Sequence, residues 1–168
     1  DYGAQALPPL TREYANALTT PGAITSSATA LSEQLIVELE ACDLLILCTP
    51  VHNFTVPAAL KAWIDQIVRP GRTVEVDESN PLDPYVPMLA DRPRHAVILS
   101  ARGGVGFDVG GAMAHMNHLE PSLITALGFI GITRVHQIAI EGQEVGGELL
   151  ASTRPGMAVE ITREPVGV

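Results

Sequence analysis

Three short apolar runs set the tightest limit on what this chain can fold into: Leu44–Cys48, Ala96–Leu99 and Val135–Ile140. The first two are continuous instead of alternating, which is the pattern of parallel strands buried on both faces. Helical patterns surround them. Leu31, Leu35, Ile36 and Leu39 recur at helical spacing ahead of Asp43. Val56, Leu60, Trp63, Ile64 and Ile67 form one apolar stripe, with Thr55 placed to cap it, Pro57 in its first turn and Pro70-Gly71 to stop it. Leu119, Leu123, Ile124 and Leu127 make a third stripe, expected to begin around Pro121 and end near Gly128. Strand, helix, strand, helix, strand is the order of βαβ units, which predicts an α/β fold with a parallel sheet and right-handed crossovers.

The 168 residues suit one domain, residues 1–168, and no linker or internal repeat divides them. Hydrophobic residues at 46% support a packed core, and the 17% charged fraction points to extensive buried or interfacial surface. Ten Lys and Arg against 19 acids give a net charge of −9, which would repel a phosphate backbone and argues against nucleic acid as a partner. No run reaches the roughly 18 apolar residues of a membrane span, and no signal-like segment opens the chain. We therefore expect a cytoplasmic protein with no membrane partner. Cys42 and Cys48, six residues apart along an extended segment, would lie about 20 Å apart, too far for a disulfide. A reduced pair is expected. Thr73–Arg94 carries Pro81, Pro84, Pro87 and Pro93 and reads as a long surface excursion, either functional or a plain decoration.

In open α/β sheets ligands bind beyond the carboxyl ends of the strands. The loops to interrogate are therefore Thr49–Pro57, Ser100–Gly106 and Glu141-Gly142. Gly103-Gly104 lets backbone approach a ligand and aim N–H groups at it, with Arg102 adjacent to supply charge; a plain turn with a solvated Arg is the other reading. Asn53 could bond the edge of a planar heterocycle while Phe54 and His52 shield its faces; it could equally serve its own turn. His115, His118 and Glu120 are close in sequence, but no third ligand shares their helical register, so no metal site is expected. No G-x-S-x-G elbow is present, which disfavours a serine hydrolase.

At these same loops the chain resembles a known family. Pro50–Phe54 and Val56–Asp65, then Arg102-Gly103-Gly104, Leu127–Thr133 and Glu141-Gly142, are similar in order to the flavin loops and following helix of the FMN-dependent NADH-azoreductases and NADH:quinone oxidoreductases. The likeness covers about residues 30–145. It implies a flavodoxin-like, doubly wound three-layer α/β/α fold with strand order 2-1-3-4-5. It also implies a homodimer holding FMN, in which NADH reduces the flavin and quinones or azo compounds then take two electrons in a ping-pong cycle. Carried onto this chain, the cofactor-binding residues are Val51, His52, Asn53 and Phe54 on one side and Ala101, Arg102, Gly103 and Gly104 on the other. His52 replaces a frequent Tyr and Ala101 a frequent Ser. No side chain is expected to act as a catalytic acid or base. A flavin-binding electron carrier, or a redox-responsive interaction protein without nicotinamide turnover, is the alternative.

That fold would also need a first strand and a phosphate-binding loop. Tyr2–Leu10 instead looks like the end of the second strand and its exit loop, so the sequence reads as a fragment lacking its first β-α unit. Low stability and weak FMN binding of the isolated chain follow as expectations.

Overall fold

The computed structural model describes residues 7–19 and 26–148. Its centre is a parallel three-stranded sheet in the order β1 (Leu44–Pro50), β4 (His95–Ala101), β5 (Arg134–Ile140). The register aligns Leu45, Ala96 and Val135 across the sheet, and likewise Leu47, Ile98 and Gln137. Side chains alternate between faces, so these residues share one face. Helices α2 (Ala30–Ala41), α3 (Ala58–Ile67) and α4 (Leu119–Ile130) send Leu35, Ile36, Leu39, Trp63, Ile64, Ile67, Leu123, Leu127 and Ile130 into a core with Ala96 and Ile98. Each such side chain, fully buried, contributes roughly 1.5–3 kcal/mol. A short helix α1 (Arg12–Thr19) leans on α2, where the buried Tyr14 hydroxyl donates to Ser32 Oγ at 3.3 Å.

The expected elements are present, with four corrections. The run at β4 is buried on both faces, but β1 is not: Leu44 and Ile46 are 40% and 55% exposed. β4 has a hydrogen-bonded strand on each side, whereas β1 pairs only with β4 among the described residues. Thr55 does not cap α3. Pro57 occupies the cap position without a side-chain bond, because the Thr55 main chain is committed to a turn with His52. Helix α4 starts at Leu119 and runs past Gly128 to Ile130, ending where Gly131 turns left-handed at φ +107°. A Cβ on Gly131 would lie 2.5 Å from the Ala90 nitrogen, so both conformation and space require glycine there. Finally, Thr73–Arg94 is anchored and not simply draped over the surface. It forms a hairpin of β2 (Val74–Val76) and β3 (Tyr85–Pro87), fastened by buried Val74 and Leu89 and by Tyr85 set edge-on to Phe129 at 5.1 Å.

Both cysteines are free thiols. No helix among the described residues is long and apolar enough to cross a membrane. Of Tyr2–Leu10, expected as the end of an earlier strand and its exit loop, residues 2–6 lie outside the described residues, as does the tail from Leu149, while Leu7–Leu10 form no strand.

Candidate functional site

The carboxyl ends of β1 and β4 finish side by side. Pro50 faces Ala101 in register, and the Val51 N–H donates to the Ala101 carbonyl at 2.9 Å. The two loops singled out in the sequence therefore leave the sheet together.

The loop after β1 reverses at once. His52 and Thr55 exchange main-chain hydrogen bonds of 3.0 and 3.1 Å, and the two residues between them have positive φ, 47° at Asn53 and 71° at Phe54. This is the geometry of a two-residue hairpin turn of type I′. Asparagine tolerates that conformation, but phenylalanine there stores strain, a feature that concentrates at binding sites. The turn holds the Phe54 ring outward, 45% exposed. The His118 N–H donates to the Phe54 carbonyl at 2.9 Å and ties the turn to the start of α4. Asn53 thus serves the turn with its backbone alone. Its side-chain amide is exposed and has no partner among the described residues.

The loop after β4 lies against the chain leaving β5. The Arg102 N–H donates to the Ile140 carbonyl at 2.9 Å. In return the carbonyls of Arg102, Gly103 and Gly104 accept from the N–H groups of Gln143, Glu144 and Gly142 at 3.0, 3.1 and 2.9 Å. With their carbonyls engaged, Gly103 and Gly104 keep N–H groups that have no partner among the described residues. A Cβ on Gly104 would meet the Phe107 ring at 3.0 Å, and one on Gly103 would collide with the Glu144 side chain.

The Arg102 side chain points into the protein. Its guanidinium donates to Glu120 Oε1 at 2.6 Å and to Glu141 Oε1 and Asp108 Oδ1, both at 2.8 Å. Ser100 Oγ donates to the same Glu120 oxygen at 2.5 Å. Burial pushes the Glu120 carboxyl up, but the bonds from Ser100 and Arg102 outweigh it and hold it below the usual carboxylate range. At Glu141 burial is likewise outweighed, by the N–H groups of Gly106 and Phe107 and by Arg102. Burial alone would ease the proton off Arg102; its bonds to Glu120 and Glu141 hold it more firmly than usual. Only the main chain of Arg102 lines the loop, and its charge is absorbed inside. The sequence did not single out this network as a unit, although one arginine after a strand and two glutamates amid apolar residues were its visible trace. Glu120 is drawn into it, while His115 and His118 stay exposed, so those three do not converge.

A family model described as flavodoxin-like fold matches residues 1–160. The chain belongs to the flavodoxin-like fold family. Its relatives include the FMN-dependent NAD(P)H:quinone oxidoreductase 1 of Pseudomonas aeruginosa, 52% identical over 118 residues, which is 70% of this chain and 55% of that protein. The chain therefore spans little more than half the length of that relative. It is also 37% identical over 166 residues to the FMN-dependent NADH:quinone oxidoreductase 4 of Pseudomonas fluorescens, covering 99% of this chain and 77% of that one. Among solved structures, an azoreductase from Bacillus anthracis superposes with a TM-score of 0.74 at 23% identity, over 91% of this chain and 74% of that one. That likeness supports the fold.

Proposed function

We propose that this chain is an FMN-binding NADH oxidoreductase that reduces quinones and azo compounds. The observation that carries the reading is the pairing of two loops at one end of the sheet. A strained turn there presents Asn53 and Phe54, and a glycine loop beside it keeps two N–H donors unspent. The donor set fits an isoalloxazine ring, a planar group with an apolar face and carbonyl and nitrogen acceptors along its edge. Val51, His52, Asn53 and Phe54 would hold one side, and the main chain of Ala101, Arg102, Gly103 and Gly104 the polar edge. When bound, FMN supplies a ring that takes hydride from NADH and passes two electrons to the acceptor. The chain's own residues orient that ring, shield it from water and offer N–H dipoles where negative charge gathers. No side chain is assigned a role as acid or base, because the hydride goes to the flavin ring.

A homodimer in the cytoplasm completes the proposal. The groove between α3 and α4, about 610 Å³, carries apolar Ile64, Val68, Ala126 and Phe129 beside Lys61 and Asp65, and we take it as the seat of the second copy. Free thiols agree with a reducing compartment.

The test is an FMN titration followed by anaerobic NADH. Wild-type chain, expected to bind FMN weakly, should quench flavin fluorescence when the chain is in large excess, and NADH should then bleach the flavin absorbance. Asn53→Ala should weaken FMN about tenfold, the scale of one good hydrogen bond. An unchanged variant would remove Asn53 from the site, and a wild-type chain that ignores flavin would sink the reading.

A further inference from the structure

We propose that Glu141 is a positioning residue, which sets the glycine loop so that the N–H groups of Gly103 and Gly104 are held ready for a ligand's polar edge. The inference rests on the functional reading above for the identity of that ligand.

Glu141 follows β5 directly and is 8% exposed. Each carboxylate oxygen is engaged with the neighbouring loop. Oε1 accepts from the Arg102 guanidinium and from the Phe107 N–H, both at 2.8 Å, and Oε2 accepts from the Gly106 N–H at 2.7 Å. One side chain thus fastens both ends of the segment 102–107. Between those fastenings lie the two glycines whose carbonyls are pinned by residues 142–144 and whose N–H groups have no partner among the described residues. Both oxygens are turned to the neighbouring loop, so Glu141 is assigned an action on that loop and not a contact with the ligand. Nor does packing explain it. An apolar residue of that size would leave the Gly106 and Phe107 N–H groups without their acceptor and would take one of three carboxylates from the buried Arg102 guanidinium.

The shape of the contact makes a discriminating prediction. In Glu141→Gln the amide oxygen can replace only one carboxylate oxygen, and the NH2 then confronts an N–H donor. The loop should loosen while the sheet stays intact. Hydrogen exchange of the wild-type and variant chains, read in peptides covering 102–107 without flavin, should show about tenfold faster exchange in Glu141→Gln, with the β4 and β5 strands unchanged. FMN titration should show about tenfold weaker binding and an altered absorbance band of the bound flavin. Arg102→Lys, which keeps the charge and loses the planar fork, should give a smaller change in the same peptides and serves if Glu141→Gln does not fold. Asp108→Asn, on the exposed carboxylate of the same arginine, should change exchange by no more than about twofold. A lowered melting temperature with uniform exchange and an unchanged flavin band would make Glu141 merely structural and overturn the proposal. If the wild-type chain does not bind FMN, the functional reading fails separately, and the exchange data still decide the clamp.

Discussion

Two clusters of arginine and glutamate stand in this protein, and they handle the same chemistry differently. Between α2 and the loop after α3, Arg72 lies against Glu33 at 2.7–3.1 Å and Glu40 at 2.8 Å, with Arg69 reaching Glu33 at 3.1 Å. The side chains of Arg72, Glu33 and Glu40 remain 26%, 39% and 34% exposed, so water shares their solvation, although Arg69 beside them is fully buried. Between the exits of β4 and β5, the side chains of Arg102, Glu120 and Glu141 alone are 4%, 2% and 10% exposed. There two carboxylates depend on one guanidinium, aided by Ser100 and by main-chain N–H groups. Glu120 Oε2 and Arg102 Nε have no hydrogen-bond partner among the described residues. The lesson is that a wet cluster can lose a member and rehydrate, while a dry one cannot. The dry one sits beneath the candidate site.

Arg102→Ala should break the comparison open with the largest effect, a loss of about 3–5 kcal/mol in urea unfolding, since it strands two buried carboxylates. A loss below about 1 kcal/mol would show that the two clusters are equivalent after all. Acid should act next. Glu120 and Glu141 have lowered folded-state values, so their stabilisation is complete above the unfolded carboxyl value near 4.3 and disappears as pH falls through the lowered folded values. The melting temperature should therefore decline below about pH 4, and that acid limb should persist in Arg72→Ala. Arg72→Ala itself should cost about 1 kcal/mol or less, because its partners can turn to water. The smallest effect is that of salt: 1 M NaCl should shrink the difference between wild type and Arg72→Ala but leave the Arg102→Ala difference nearly intact.

Much of the frame was legible because periodicity reports burial. The runs at 44–48, 96–99 and 135–140 became the three strands of the parallel sheet, and the stripes ending at Leu39, Ile67 and Leu127 became the helices over them. Capping was less legible. Thr55 has the chemistry of a cap, but a turn with two positive φ values claimed its main chain, and that turn depends on two residues taking a conformation that sequence pattern rarely signals. The loops of the candidate site were visible as loops, since Gly103-Gly104 and Asn53 are unusual residues after strands. The inward turn of Arg102 was not visible, because its partners lie 18 and 39 positions away.

By itself, then, the amino-acid order determined the alternation of strands and helices and the positions where chain emerges from the sheet. These follow from local spacing, which needs no knowledge of distant residues. Tertiary structure alone decided which face of β1 stays exposed, why Gly131 must be glycine and where the charge of Arg102 goes. Each of those depends on what a remote segment brings to the same place: Ala90 beside Gly131, Glu120 and Glu141 around Arg102. A buried charge is stable only where distant carboxylates and N–H groups converge on it, and that convergence is a property of the fold.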